Sequence, residues 1–237
     1  MLHSVGSEVR WSDYFGSSIE KYLIPIPKKC NLEYYCNMKL NQNQITKYLF
    51  WPLEVLVVVL IIVNGYLIFT SNLTYNTYYS YGMILGLISF GLFTIAILPG
   101  MLTRFGIKGK LIQILMQYRR EFGKLMFLFA LAHYFTIKLF PTIKLNLPLD
   151  FPLYQILGFI ALTLLLPLFL TSTNWAQKKL GIWWKRLHSL VYIIVWIVFF
   201  HVALVQGTTL VSVVIFAIAG TELMSILNYY LIRLNLD

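Results

Sequence analysis

Residues 183–204 read WWKRLHSLVYIIVWIVFFHVAL. The stretch opens on two tryptophans and two cations and then becomes almost wholly apolar. That is the pattern of a helix entering a bilayer through its aromatic and basic interface. About 20 such residues cross a bilayer as an α-helix, and this run is long enough. It also carries His188 and His201, thirteen residues apart. Hydrocarbon disfavours both groups, and membrane proteins turn such residues toward their own interior.

Working outward, five more apolar runs have the same length. The six spans are expected at roughly 51–69, 78–98, 122–140, 152–171, 184–205 and 209–232. The chain is 59% hydrophobic and 12% charged, with a mean hydropathy of +0.72. A soluble domain of 237 residues could not cover that much apolar surface. The fold class that follows is all-α: a polytopic membrane helix bundle of about six transmembrane helices, residues 48–237, with short loops joining antiparallel neighbours.

The net charge of +10 does not point to nucleic acid, because the cations sit between apolar runs, where membrane topology needs them. Arg104, Lys108, Lys110, Arg119, Arg120 and Lys124 lie in residues 100–124, around the junction of the second and third spans. Lys178, Lys179, Lys185 and Arg186 lie in residues 173–186, around the junction of the fourth and fifth. With six spans these, the basic residues before the first span and Arg233 all fall on one side, and Lys138 and Lys144 on the other. Both termini are therefore expected in the cytoplasm. No cleavable signal is visible, since the first long apolar run begins near Trp51, so the first span is expected to direct insertion. Residues 1–47 are polar and read as a poorly ordered cytoplasmic arm. Its Cys30 and Cys36 match no common zinc or redox spacing, and its His3 reads as an exposed residue.

Three histidines remain, all within spans. His133 lies thirteen residues beyond Arg120, and His201 thirteen beyond His188, so at 1.5 Å per residue His133 and His201 sit at one depth on two helices. Two imidazoles at one level in a bundle core are what a bis-histidine haem requires. The plainer alternative is a set of packing histidines bonded to neighbouring hydroxyls or carbonyls. His188 faces the cytoplasmic end, where the third span offers Arg119 and Arg120 instead of a histidine. These can hold haem propionates or a flavin phosphate, or simply anchor the helix at the membrane surface. Gly123 can let a flat cofactor approach, or only ease helix packing. On an ideal helix His188 and His201 point about 140° apart. Either the helix is distorted or the two serve different sites, and the second reading is preferred here.

Other polar positions carry less. Glu54 and Glu222 read as partly hydrated anchors near cytoplasmic ends. Trp183 and Trp184 read as interfacial belt residues. Pro99, Pro141 and Pro167 are expected to end or kink helices. No nucleophile–base pair, H-E-x-x-H or phosphate loop is present, so hydrolytic chemistry has no sequence support.

The segments RREFGKLMFLFALAHYFTIKLF (119–140) and LGFIALTLLLPLFLTSTNWAQKKLGIWWKRLHSLVYIIVWIVFFHVAL (157–204) resemble the ferric-reductase-like transmembrane family. Within it they are most similar to the haem-binding membrane subunits of bacterial methionine sulfoxide reductase systems. R-R-x-x-G with a histidine in the same helix, L-T-S-T, K-L-G-x-x-W and L-H-x-L-V-Y carry the likeness, which covers about residues 85–205. The polar arm and the region between the second and third spans depart from it. The resemblance implies b-type haem, one or two, held by His133, His188 and His201, with FMN as a second cofactor in some members. It implies electrons passing from a separate cytoplasmic flavin reductase to a periplasmic molybdenum-containing reductase that repairs methionine sulfoxide, across a bacterial inner membrane. A separate donor is also expected from the length, which leaves no room for a dinucleotide-binding domain. Reduction of ferric chelates or of oxygen is the alternative use of the same haem, and a haem-free transporter or structural subunit is the alternative of another class.

Overall fold

The computed structural model describes residues 44–71, 74–146, 150–206 and 209–234. His3, Cys30 and Cys36 of the expected arm, and the side chain of Arg233, lie outside them. The described residues are helical with no strand. The helices are α1 (Trp51–Thr70), α2 (Tyr75–Arg104), α3 (Lys110–Tyr134), α4 (Phe140–Leu145), α5 (Leu153–Leu170), α6 (Asn174–Leu180), α7 (Ile182–His188), α8 (Val191–Gln206) and α9 (Leu210–Leu234). A π-helical turn, Phe135–Leu139, joins α3 to α4. Six of the resulting segments are long and apolar enough to cross a membrane, and the chain is an integral membrane protein.

Five helices close into a ring. α2 packs on α3, α3 on α5, α5 on α8, α8 on α9, and α9 back on α2. α1 stands outside this ring against α3 and α4. The outward faces are apolar: Ile62 on α1 is 66% exposed and Phe216 on α9 56%. Water would penalise that surface, and lipid does not. Polar groups stitch the inner contacts. Ser89 Oγ donates to the Met126 carbonyl at 3.0 Å, joining α2 to α3. Asn64 Nδ2 donates to Thr136 Oγ1 at 3.3 Å, joining α1 to the π turn. Lys144 Nζ donates to the carbonyls of Ile68 and Ser71 at the end of α1, the cation-at-C-terminus arrangement that satisfies orphaned carbonyls.

The structure sharpens three expectations. First, of the two outcomes expected of the prolines, to end or to kink a helix, Pro99 and Pro167 do not end theirs. Pro99 lies inside α2 and Pro167 inside α5, and Pro141 sits in the first turn of α4. Helices packed in a membrane tolerate the lost N–H because neighbouring groups take up the freed carbonyls. Second, α3 begins at Lys110, well before the apolar run. Its basic first turns follow Gly106, whose φ of 78° turns the chain where an L-residue would strain. Third, the fifth span is not one helix. α7 ends at His188 and α8 starts at Val191, so the 140° angle reckoned on an ideal helix does not apply.

The loop before that span explains two of its sequence signatures. Thr173 caps α6, its Oγ1 accepting from the Ala176 N–H at 3.1 Å, a standard N-cap bond. Gly181, at φ 51° and ψ −114°, turns the chain between α6 and α7 in a conformation open to glycine. Trp184 Nε1 then donates to the Thr171 carbonyl at 3.0 Å, clamping α7 to the end of α5.

Candidate functional site

His133 from α3 and His201 from α8 meet inside the ring, with ring centroids 6.5 Å apart and planes crossed at 87°. Both are held by the same device. His133 Nδ1 lies 2.7 Å from the Gly82 carbonyl on α2, and His201 Nδ1 lies 2.6 Å from the Tyr154 carbonyl on α5. A carbonyl only accepts, so each neutral ring carries its proton on Nδ1 and leaves the Nε2 lone pair free. Four residues past each carbonyl stands a glycine. A Cβ on Gly86 would sit 2.8 Å from His133 Nδ1, and one on Gly158 2.8 Å from His201 Cε1. Each imidazole therefore lies against bare backbone of the facing helix, where no other residue fits without displacing it.

The two rings line one cavity with Phe90, Phe93, Phe159 and Leu165 among mostly apolar neighbours. Metal–nitrogen bonds are about 2 Å and a ring centre stands roughly 1 Å behind its nitrogen, so two imidazoles sharing one metal stand about 6–6.5 Å apart. The observed separation matches. Among the described residues no third His, Cys, Asp or Glu completes a cluster. Two ligands leave a bare ion short of donors, whereas a macrocyclic metal lacks only its two axial ones.

His188 does not reach this cavity, nor do Arg119, Arg120 and Gly123. The His188 ring stacks on Trp184 at 4.0 Å, and its Nδ1 lies 3.1 Å from the Trp184 carbonyl. Its Nε2 is buried without a hydrogen bond of ordinary geometry, although the Leu168 carbonyl lies beside it. Arg119 is exposed but within electrostatic reach of His188. Arg120 Nη1 donates to Asn174 Oδ1 at 2.5 Å, tying α3 to α6. A Cβ on Gly123 would meet nothing within 4 Å, so this glycine is not a tight helix contact.

Glu54 keeps the expected partly hydrated state, with 19% of its side chain exposed, whereas Glu222 does not. Glu222 is 1% exposed and pairs with Arg104 at 2.9 Å. Lys124 Nζ stands 2.6 Å from Glu54 Oε1 and 2.5 Å from Glu121 Oε2. These contacts are close ion pairs. They join α1 to α3 near Arg120. Trp183 is 65% exposed, as a belt residue would be, while Trp184 faces inward to His188.

Sequence reading missed Gly82, Gly86, Tyr154 and Gly158. A backbone carbonyl leaves no residue-type signal, and glycines are common in packed membrane helices. The spacing of Gly82 and Gly86, small residues four apart, was the available hint.

Residues 85–199 match the family described as ferric reductase like transmembrane component. The match includes Gly86, His133, Gly158 and His188 and ends two residues before His201. The protein-methionine-sulfoxide reductase heme-binding subunits MsrQ of Brucella ovis and Brucella canis are each 42% identical over 86 residues, 33% of this chain and 38% of theirs. The chain thus matches under two fifths of the length of these relatives. No solved structure matches. The segment that supplies α3, α5 and both glycines of the histidine pockets is therefore the part of the chain that is similar to the ferric reductase like transmembrane component family.

Proposed function

We propose that this protein is the haem-bearing electron-transfer subunit of a membrane oxidoreductase system. The observation that carries the reading is the paired histidine device: two imidazoles from α3 and α8, each fixed by a carbonyl and a glycine, sharing one apolar cavity. His133 and His201 would hold one b-type haem, which when bound would supply reversible one-electron chemistry. The residues of this chain fix the ligands' tautomers, exclude water and provide the low-dielectric surroundings. The His188 end, with Arg119, Arg120 and Gly123, is the entry side, where a second haem or FMN would bind. The donor is a cytoplasmic flavin reductase and the acceptor a periplasmic reductase acting on methionine sulfoxide. The membrane is a bacterial inner membrane with both termini cytoplasmic, in keeping with the Lys and Arg distribution. The MsrQ relatives are named as heme-binding subunits of a protein-methionine-sulfoxide reductase, which supports the haem and the class of acceptor.

Vesicles holding the purified protein test the route. Haem reduced from one face by a nicotinamide-driven flavin reductase should reoxidise when the periplasmic reductase and methionine sulfoxide are added to the other. Reoxidation no faster than with methionine sulfoxide alone would overturn the proposed acceptor.

The glycines give a sharper local expectation. Gly86→Ala or Gly158→Ala presses a methyl group into a ligand ring, and overpacking of this kind costs about 1–3 kcal/mol. Haem affinity should fall roughly tenfold, by 1.4 kcal/mol per decade, with a spectrum shifted toward weaker axial ligation. Gly91→Ala is the control on the same helix. Its Cβ would meet nothing within 4 Å, and haem titration of that variant should match the parent.

A further inference from the structure

Among the described residues, Lys138 is the one lysine or arginine that lines the histidine cavity, and no Asp or Glu lines it. Its Nζ donates to the Asp150 carbonyl at 2.5 Å and stands 4.8 Å from the centre of the Phe151 ring. It makes no ion pair among the described residues. A cation facing an apolar cavity in a membrane protein is costly without a counter-charge.

The backbone places it there. Lys138 follows His133 by five residues, which on an uninterrupted α-helix would set the two about 140° apart. The π turn Phe135–Leu139 has a longer i→i+5 repeat. It narrows that angle, and both side chains line the cavity. Buried Thr136 within the turn accepts from Asn64 of α1, which holds the turn from outside the ring. On α2, which runs antiparallel to α3, Tyr79 and Tyr75 lie about one and two turns from Gly82 toward the same end. Both line the cavity, as does Gln155 beside Tyr154. Cation, phenols and amide thus all line the cavity, and their positions along α2, the π turn and α5 set them toward its end away from Arg119 and Arg120.

We propose that Lys138, with Tyr75, Tyr79 and Gln155, forms a carboxylate subsite that takes the propionates of the haem held by His133 and His201. The inference rests on the haem reading above. It assigns the orientation of the macrocycle: carboxylates toward the α3–α4 junction, apolar edge toward Phe93 and Leu165. An ammonium–carboxylate hydrogen bond is charge-assisted and stronger than a neutral one.

Haem and its dimethyl ester, whose carboxylates are blocked, separate this subsite from simple apolar binding and from an anionic lipid headgroup at Lys138. Both are titrated into the full chain purified in detergent from haem-limited cells. The parent should bind haem about tenfold more tightly than the diester, the scale of one charge-assisted hydrogen bond. Lys138→Gln should bind the two alike, and Lys138→Arg should keep the preference. Helical content and elution volume show whether each variant folds. A folded Lys138→Gln protein that keeps the parent's preference overturns the subsite, as does a parent that binds both porphyrins equally. A parent that binds neither overturns the haem reading and the subsite with it.

Discussion

His133→Ala and His201→Ala are each expected to abolish the low-spin haem spectrum of the purified protein. Each imidazole would be one of two axial donors, and no other His, Cys, Asp or Glu among the cavity-lining residues can replace it. Losing an outer-shell partner of a metal ligand costs roughly 10–100-fold in affinity, and losing the ligand itself should cost more. Neither change should unfold the ring. The Gly82 and Tyr154 carbonyls keep their helical partners one turn on, and alanine is the best helix former. His188→Ala should leave this haem in place, since His188 lies outside the cavity and stacks on Trp184. The check is haem per polypeptide, by pyridine haemochrome, with the dithionite-reduced absorption spectrum. Parent-level haem and an unchanged spectrum in both variants would remove the two histidines as ligands.

Arg104→Met should produce the largest loss of stability. Arg104 Nη1 donates to Glu222 Oε1 at 2.9 Å and to Ser225 Oγ at 2.7 Å. Its Nη2 donates to the Tyr192 hydroxyl at 2.7 Å. One guanidinium therefore joins α2, α8 and α9, the contacts that close the ring. Asn228 Nδ2 adds a bond to the Arg104 carbonyl at 3.3 Å. Glu222 Oε2 is buried without a donor of its own, so removing the arginine strands a carboxylate in low dielectric. Breaking a buried pair from one side costs about 3–5 kcal/mol, whereas replacing both partners by apolar residues is often near neutral. Arg104→Met alone should unfold at markedly lower denaturant, and Arg104→Met with Glu222→Met should recover most of the loss. Equal losses in the single and double variants would show that the pair does not hold α9 in place.

The six spans were legible because a bilayer imposes length and hydropathy on each one separately. The equal depth of His133 and His201 was legible too, because helical rise converts residue counts from the basic flanks into height. What closes the site was not. The order of helices around the ring depends on which faces pack, and apolar runs exposed to lipid on one side and packed on the other read alike. The break after His188 falls in SLVY, without proline or glycine, so the fifth span read as one helix. There the Ser189 hydroxyl donates to the Arg186 carbonyl at 2.6 Å. Side-chain bonding of this kind competes with the helical ladder. Arg104 and Glu222 stand 118 residues apart, and each alone looked like an anchor near a membrane surface. Lys138 was read as an outer-side charge, and the π turn that brings it to the cavity has no sequence signature.

Low-temperature electron paramagnetic resonance of the oxidised, haem-replete protein tests the central claim most directly. Two imidazoles crossed near a right angle, as these are at 87°, leave the iron dπ orbitals almost degenerate. The predicted result is a strongly anisotropic low-spin ferric signal dominated by one large g value, which disappears in His133→Ala and in His201→Ala. A purified, folded chain that shows no low-spin ferric haem, or shows one that persists in both variants, would contradict the assignment of one haem between these two helices.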